Sequence, residues 1–327
     1  MSLAEAPRNG VPADLPQRHA HGERTQRIAS LVPHATELLF ALGLGSQVVA
    51  VTHECDHPPA AATLPKLTRD VLPPHLSSAE IDAAVRQRTA AGEAIYELDE
   101  LALAEAAPNL IVTQALCPVC AVSYQDVRRI AERLPSRPEV IALDPHTLGE
   151  TLGDIRTIAE ATGVKDRGAD LVREAANRID AVKLAVRGLR RPRVIALEWL
   201  DPVFVAGHWT PQMIELAGGE DVLGLPGERS EQLSWEALAA ARAEIVLVMP
   251  CGYDTPRAAE EAQRYARQLA TLHAQRIVAV DAAACFSRPG PRLIDGLELL
   301  ADVLHGQRAH EPLIPAIEVQ LSPRAHG

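Results

Sequence analysis

Aromatic residues are scarce in this sequence, and it contains no long apolar run. Phe, Trp and Tyr make up only 3% of the 327 residues, so the position of each aromatic side chain is informative. No apolar run reaches the roughly 18 residues that would predict a membrane-spanning helix, and residues 1–26 lack the apolar core of a secretory signal. The chain is therefore expected to stay in the cytoplasm as written, or to act in the periplasm or at the cell surface if a leader has been lost.

The sequence also lacks the features of several functional classes. Lys and Arg number 32 against 43 Asp and Glu, a net charge of −11, and the absence of any basic block argues against a nucleic-acid partner. The 5 Cys are an odd number that cannot form a complete disulfide framework, so mostly reduced thiols are expected. There is no Gly-rich phosphate loop and no nucleophile elbow, and no enzymatic activity is expected.

Short apolar runs alternate with helical segments along most of the chain. This alternation is typical of parallel βαβ units and predicts an α/β fold. The predicted strands are residues 27–32, 48–52, 110–113, 140–143, 193–198, 245–249 and 277–281. The predicted helices around them are residues 36–42, 79–90, 124–134, 211–217, 235–241 and 292–304. Residues 91–107 are expected to form a helical insertion before the third strand.

Two helices and no strand are predicted between residue 147 and about residue 187. The first covers residues 148–162 and ends at Gly163. Apolar residues at helical spacing from Ala169 to Ala185 predict a second helix of about 22 residues, or about 33 Å. We therefore predict two parallel-sheet α/β lobes bridged by one long helix. The expected divisions are a disordered arm (1–26), an N-terminal lobe (27–146), a helical segment (147–190), a C-terminal lobe (191–308) and a tail (309–327).

The stretch from Glu198 to Trp209 combines two of the three Trp, two acids and His208 directly after a predicted strand. Asp-Pro and Ala-Gly pairs break that strand into a loop, and Pro211 favours the start of a helix. Open α/β sheets bind ligands at the carboxyl ends of their strands. The stretch therefore predicts part of a ligand site.

A group of Cys and His residues follows two other predicted strands. His53 and Cys55 come after the second strand, and Cys117 and Cys120 come after the third. Thiolate and imidazole ligands suit zinc, and these four residues would complete a tetrahedral site. The Cys117–Cys120 pair is equally compatible with a redox-active dithiol or with two ordinary thiols beside a helix. All three interpretations stay open at this point.

Five motifs occur in an order that is informative when they are taken together. They are residues 27–37 (RIASLVPHATE), 51–59 (VTHECDHPP), 201–207 (DPVFVAG), 218–223 (GGEDVL) and 287–292 (SRPGPR). With these motifs the chain resembles the substrate-binding proteins of vitamin B12 and siderophore ABC importers, especially the cobalamin-binding branch, from about residue 27 to about residue 305. The resemblance implies the class III periplasmic-binding-protein fold, with a ligand held between the lobes.

The resemblance also implies a ligand, which would be cobalamin or a related corrinoid bound non-covalently, with no cofactor required. Such a large, mostly flat ligand with amide fringes favours aromatic walls and a few hydrogen-bonding groups. The candidate wall residues are Trp199, Phe204, Trp209 and Phe286. His34 and His208 are candidates to contact the ligand or its cobalt, and Arg288 would meet an anionic ligand group.

A partner surface is the last feature that the resemblance implies. In that family one acid on each lobe meets arginines of a membrane permease, and Glu80 and Glu236 match those acids. Both acids follow Ser residues that can cap a helix, so each would also stabilise its helix dipole. A permease partner is expected only if the protein is exported.

Two alternative functions follow from other residues. A cytoplasmic metal-dependent sensor or enzyme would use His53, Cys55, Cys117 and Cys120 as ligands. A binder of an iron chelate or haem would use the same cleft, and Arg288 and Arg292 would then favour an anionic ligand.

Overall fold

The computed structural model describes residues 26–115, 122–307 and 314–321. The first six strands are β1 (Ile28–Ser30), β2 (Val48–Val51), β3 (Thr68–Asp70), β4 (Tyr96–Leu98), β5 (Leu110–Gln114) and β6 (Glu139–Leu143). Four of them form a sheet in the order β2-β1-β5-β6, in which every pair is parallel. β1 and β5 are buried along their whole length, as expected for a parallel sheet covered on both faces.

The helices of the N-terminal lobe pack on the two faces of this sheet or connect its flanking strands. They are α1 (Pro33–Ala41), α2 (Pro59–Ala62), α3 (Ser78–Ala90), α4 (Glu100–Ala106) and α5 (Tyr124–Arg133). α1 begins at Pro33, three residues before the predicted start, because Pro suits the first helical position. Leu38 and Leu39 of α1 join the core on one face of the sheet, and Val127 and Ile130 of α5 join the core on the other.

The segment that contains β4 and α4 differs from the prediction. Residues 91–107 were expected to be helical throughout, but this range contains strand β4 as well as helix α4. β4 pairs antiparallel with β3 in a separate two-stranded ribbon, and Arg69 and Glu97 form an ion pair across it at 2.6 Å. The helical expectation was wrong for 96–98, where the partner strand lies 28 residues away and decides the conformation.

Two long helices join the lobes. They are α6 (Leu148–Ala161) and α7 (Lys165–Ala185), the latter with 21 residues against the roughly 22 expected. Each helix contributes to the cores of both lobes: Ile158 of α6 and Val172 of α7 pack in the N-terminal core, while Leu148 and Val182 pack in the C-terminal core. The connection is therefore a packed pair of helices of which α7 is the longer.

The C-terminal sheet has seven strands. They are β7 (Arg193–Leu200), β8 (Val203–Val205), β9 (Glu220–Asp221), β10 (Glu231–Gln232), β11 (Ile245–Val248), β12 (Arg276–Ala279) and β13 (Ile317–Glu318). β7, β11 and β12 are mutually parallel and form its centre. β8, β10 and β13 are added in antiparallel orientation at the edges, so this sheet is mixed. β13 lies within the predicted tail of residues 309–327, and this part of the tail is a sheet strand.

Six further helices pack on this sheet. They are α8 (Thr210–Leu216), α9 (Trp235–Ala240), α10 (Thr255–Arg264), α11 (Ala266–Ala270), α12 (Ala282–Cys285) and α13 (Leu293–His305). α13 buries nine of its 13 residues, among which Leu297 and Leu300 are completely buried. Arg178 of α7 forms ion pairs with Asp295 and Glu298 of α13 at 2.6 and 2.7 Å, which fixes the connecting helix to the C-terminal lobe.

The predicted fold class is confirmed by these two sheets and the long helix that connects them. Among the described residues, no helix combines the length and the apolar character needed to cross a membrane.

Candidate functional site

The residues that follow the parallel strands of the two lobes meet along one boundary, which we call the cleft. On the N-terminal side the cleft is bordered by the residues after β1, β2 and β6, and on the C-terminal side by the residues after β7, β8 and β12. Side chains from both borders are in direct contact: Arg288 meets Asp56, and the rings of His146 and His208 have centroids 5.9 Å apart. This placement agrees with the general position of ligand sites in open α/β sheets.

The strongest contact across the cleft is an ion pair between Glu37 of α1 and Arg292, just before α13. The Arg292 Nε and Nη2 atoms donate to the two Glu37 carboxylate oxygens at 2.9 and 2.6 Å, in a bidentate arrangement. The Glu37 side chain is only 3% exposed. Gly290 allows the close approach of the two lobes here, because a Cβ atom at this position would lie 3.3 Å from Glu37 Oε2 and 3.5 Å from His34 Cβ.

Arg288 extends this contact toward solvent. It donates to the Asp56 carboxylate at 2.5 Å and to the Glu54 carbonyl oxygen at 3.1 Å, and it lies 3.6 Å from Glu37. Burial would raise the pKa of Asp56, but the hydrogen bond and charge of Arg288 outweigh it and lower that pKa. We call Glu37, Asp56, Arg288 and Arg292 the interlobe ion cluster. Its two positive and two negative charges balance.

His34 lies beneath the cluster. Its side chain is 2% exposed, and its Nε2 atom has no hydrogen-bond partner among the described residues. Burial, followed by the positive charge of Arg288, lowers its pKa to about 3. The imidazole is therefore neutral near pH 7, with one unsatisfied nitrogen beside the cleft.

His208 occupies the exit of β8 in a left-handed backbone conformation, with φ 52°. The preceding Gly207 packs directly against the backbone of Glu228, which leaves no space for a Cβ atom. Burial, followed by the charges of His146 and Arg229, lowers the pKa of His208. His208 is thus a half-buried, neutral imidazole, and its lone pair is available to a ligand or a metal.

The four aromatic candidates divide into two pairs. Trp209 and Phe286 lie in the C-terminal core with 5% and 3% exposure, and the Trp209 indole donates to the Phe286 carbonyl oxygen at 2.7 Å. Their predicted position as open cleft walls therefore needs correction, because in this structure both rings fill the lobe's interior. Trp199 and Phe204 are half-buried on adjacent strands, and Trp199 donates to the Ser78 carbonyl oxygen of the opposite lobe at 3.2 Å.

The described members of the predicted zinc site have protein partners instead. His53 Nδ1 lies 2.7 Å from Thr68 Oγ1 and its ring packs near Tyr96. Cys55 is buried between the hydroxyls of Thr36 and Thr52, and burial raises the pKa of its thiol. Cys117 and Cys120 lie outside the described residues. Within the described ranges, no group of three or more His, Cys, Asp or Glu is arranged to hold a metal ion, so these residues give the zinc hypothesis no support.

The two predicted docking acids are both exposed, one on each lobe. Glu80 accepts hydrogen bonds from the Ser77 backbone and hydroxyl at 2.8 and 2.7 Å, which completes a capping box at the start of α3. Glu236 lies in the first turn of α9, which Ser234 caps. Hydrogen bonds with Ser77 lower the pKa of Glu80, and hydrogen bonds with its own backbone and with Ser234 lower the pKa of Glu236.

Several polar residues of the site were not predicted individually, Asp56 of the ion cluster among them. Glu37 was recognisable as the lone charge within the apolar run of α1, since a buried charge requires a partner. Glu198 lies at the end of β7 and accepts from Ser230 at 2.6 Å, and burial raises the pKa of its carboxyl group. His146 gave no signal, because its position opposite His208 depends on how the two lobes meet.

One known protein family matches most of the chain. Residues 28–283 match the family described as "Periplasmic binding protein". A vitamin B12-binding protein from Vibrio cholerae serotype O1 is 50% identical over 42 residues, but this stretch covers only 13% of the present chain and 15% of the relative. The short match therefore leaves most of both chains uncompared.

Two solved structures resemble the whole fold. The apo form of the periplasmic heme-binding protein RhuT from Roseiflexus sp. RS-1 has a TM-score of 0.63 at 24% identity, over 86% of this chain and 99% of the other. The periplasmic vitamin B12-binding protein BtuF of Vibrio cholerae has a TM-score of 0.63 at 19% identity, over 87% and 98%. At this identity they support the fold alone. The resemblance predicted from the motifs is confirmed, and the chain belongs to the periplasmic binding protein family.

Proposed function

We propose that this protein captures cobalamin or a related corrinoid in the cleft between its lobes, without chemical conversion. The observation that carries the proposal is the charge balance of the interlobe ion cluster. Arg288 and Arg292 are already paired with Asp56 and Glu37, so the main polar group left for a ligand is the neutral, half-buried imidazole of His208, while His34 lies buried beneath the cluster. Neutral hydrogen-bonding groups beside the half-buried Trp199 suit a large macrocycle with amide fringes better than a polyanion.

Binding would require only desolvation, stacking and coordination. The lowered pKa of His208 keeps its imidazole neutral, which is the form that coordinates a metal such as cobalt. The paired helices α6 and α7 pack in both lobes and limit how far the lobes can separate. Capture would therefore involve a small change in lobe separation.

An anionic iron chelate or haem is the second candidate, and Asp56 is the observation that favours it. Its side chain is 65% exposed, although it forms the outer half of the pair with Arg288. An anionic group of a ligand could replace Asp56 on Arg288, whereas Glu37 and Arg292 are too buried for such an exchange.

Absorption titrations with cobalamin and with haem, run in parallel, test the proposal. We expect cobalamin to bind with a Kd of about 1 μM or tighter, equivalent to about −8 kcal/mol, and its spectrum to shift. His208→Ala should weaken binding about tenfold and remove the shift. His273→Ala is the matched control, since His273 is an exposed histidine with a similar left-handed φ of 51°. Haem binding without cobalamin binding would replace the corrinoid proposal with the second candidate.

We further propose that Glu80 and Glu236 mark the surface that meets a membrane permease. Their support is their exposure on separate lobes and the family resemblance. Glu80→Lys with Glu236→Lys should abolish binding to a detergent-solubilised vitamin B12 permease and leave ligand affinity unchanged. Unchanged permease binding would remove these acids from the docking surface.

A further inference from the structure

Helix α3 is unusual in how little of it is buried. Ser78, its first residue, is its single buried position, while Ile81 and Val85 are only partly buried and join none of the apolar cores of the described chain. The helix lies between β3 and β4, which pair only with each other as strands, while Leu67 just before β3 donates its backbone amide to Val51 of β2 at 2.8 Å. Few buried apolar contacts are typical of segments that open locally.

The contacts that hold α3 in place come mainly from the opposite lobe. The Ser78 hydroxyl donates to the carboxylate of Glu261 on α10, and both residues are almost fully buried. The single indole N–H of Trp199 is shared between the Ser78 carbonyl oxygen at 3.2 Å and the Asp201 carbonyl oxygen of its own lobe at 3.1 Å. Farther along the helix, Arg86 donates to Gln232 of β10 at 2.8 Å. The N-terminal turn of α3 is thus attached to the C-terminal lobe.

The hinge of this segment is equally well defined. Backbone pairing of β3 with β4 continues into a hydrogen bond from Val71 to Ile95 at 3.1 Å. In the chain between Val71 and Ile95, Arg88 of α3 donates to the Ala94 carbonyl oxygen at 2.9 Å and forms an ion pair with Glu93. A movement of α3 would therefore leave the hydrogen bonds of the β3–β4 ribbon in place, and no residue of α3 belongs to the N-terminal apolar cores.

We propose that α3 is a lid that is hinged on the β3–β4 ribbon and latched to the C-terminal lobe through Ser78, Glu261 and Trp199. The latch closes one side of the cleft, and its release admits or discharges the ligand. The gating role rests on the proposed ligand capture, whereas the latch itself exists without ligand. Trp199 is in this view a latch residue on the C-terminal lobe as well as a half-buried aromatic of the cleft.

Hydrogen exchange of the ligand-free chain tests the latch directly. In the double variant S78A/W199F, α3 loses its hydroxyl and indole donors but keeps its helix cap and an aromatic ring. We expect amide exchange along the whole of α3 to accelerate about tenfold or more, with exchange in β1, β5 and β11 unchanged. Unchanged exchange in α3 would overturn the proposal.

Two further variants keep the test decisive. The double variant Arg86→Ala with Gln232→Ala removes the exposed hydrogen bond between α3 and β10 and leaves the buried latch intact. It should accelerate amide exchange in α3 by a smaller factor than S78A/W199F does. Ser77→Ala is the matched control, because it removes the cap of the same helix without touching the latch, and faster exchange should stay within the first turn. If S77A accelerates the whole helix as much as S78A/W199F, the latch is disproved.

A ligand measurement then tests gating. If cobalamin binds the wild-type chain, its dissociation from Ser78→Ala, which leaves Trp199 in place, should be at least several-fold faster, with a smaller change in the association rate. An unchanged dissociation rate would overturn gating. If cobalamin does not bind at all, the corrinoid proposal fails, while the hydrogen-exchange result still decides whether α3 is latched.

Discussion

The two lobes repeat one structural unit, and comparison of the repeats shows which features serve the fold and which serve the site. Arg27 precedes β1 and donates to the Ala106 carbonyl oxygen at the end of α4; Arg193 at the start of β7 donates to the Ala241 carbonyl oxygen at the end of α9. The next residues, Ala107 and Arg242, are both left-handed, with φ 43° and 51°. Such agreement without similar sequence indicates a common requirement of the helix-to-strand turn.

The lobes differ where their first strands end. β1 passes directly into α1, whose first turn places His34 beneath the interlobe ion cluster. β7 instead turns back through Asp201 and Pro202 into the antiparallel β8, which then presents His208. At these two strand ends, the N-terminal lobe therefore contributes a buried histidine and the C-terminal lobe a half-buried one. The positions where the two lobes depart from their shared structural unit therefore indicate the candidate site more clearly than the structure of either lobe alone.

The repeat also distinguishes the two predicted docking acids. Glu236 lies on α9, which directly precedes the central strand β11, and α4 holds the corresponding place before β5. Glu80 lies on α3, the proposed lid, for which the C-terminal lobe shows no counterpart among its described helices. The two acids are therefore not equivalent in the repeat, although both are exposed.

Breaking the contact between the lobes should have the largest effect. Glu37→Gln leaves the guanidinium of Arg292 without its charged partner, and loss of one member of a buried pair costs about 3–5 kcal/mol. All three Trp lie in the C-terminal lobe, so urea unfolding followed by Trp fluorescence reports that lobe, and circular dichroism reports both. Since α6 and α7 pack in both cores, we expect the two transitions to coincide.

Glu97→Gln is the control for this experiment. Its ion pair with Arg69 is exposed on both sides, so the free energy of unfolding should change by less than about 1 kcal/mol. A loss below about 1 kcal/mol for Glu37→Gln would show that the interlobe pair does not hold the lobes together.

The two lobes also show how far the sequence predicts the structure. Buried strands such as β5 and β11 were predictable, because continuous apolar runs leave few alternatives. β4, β8 and β13 were not, since each is short and depends on a partner strand distant in sequence or on a tight turn. In the site, Arg288 was predictable from its motif, but its pairing with Asp56 joins residues 232 positions apart. Trp209 and Phe286 were placed at the correct strand exits, although the sequence could not show that their rings point inward.

Each lobe has a side-chain acceptor in the helix-to-strand turn that the lobes share. Removing it should lower the free energy of unfolding by unequal amounts in the two lobes. Asn109 accepts from the Arg27 backbone amide at 3.0 Å, and Glu244 accepts from the corresponding Arg193 amide at 3.2 Å and also from Arg190. Glu244→Ala should cost about 1.5–3 kcal/mol, since its bonds involve a charge, and Asn109→Ala about 0.5–1.5 kcal/mol. Chemical denaturation measures both, and equal losses would show that the extra charge contributes nothing.

The pH dependence of stability should come partly from the N-terminal lobe through His34. Its folded pKa of about 3 lies below the unfolded value of 6.5, so the unfolded chain binds an extra proton between these values. His34 thus lowers the free energy of unfolding as pH falls from 6.5 toward 3, by at most about 1.4 kcal/mol per pH unit. Denaturation of the wild type and His34→Gln between pH 7 and 4.5 should give a shallower slope for the variant, whereas His273→Gln at an exposed position should retain the wild-type slope. Parallel slopes for His34→Gln and the wild type would contradict the neutral, buried state of His34.

The smallest difference is expected between the caps of the two corresponding helices. Asp99 accepts from the Ala102 amide at 2.9 Å at the start of α4, and Ser234 accepts from the Ala237 amide at 3.2 Å at the start of α9. Replacement of either by Ala should cost about 1 kcal/mol. The negative charge of Asp99 also interacts with the helix dipole, which contributes about 0.3–1 kcal/mol at low salt. Only for Asp99→Ala should the loss in free energy of unfolding therefore become smaller in high salt. Asp99→Asn keeps an accepting side chain without the charge, so its stability at low salt should approach that of the wild type at high salt. An equal salt response of Asp99→Ala and Ser234→Ala would mean that the two caps act through hydrogen bonding alone and that the lobes are equivalent at this turn.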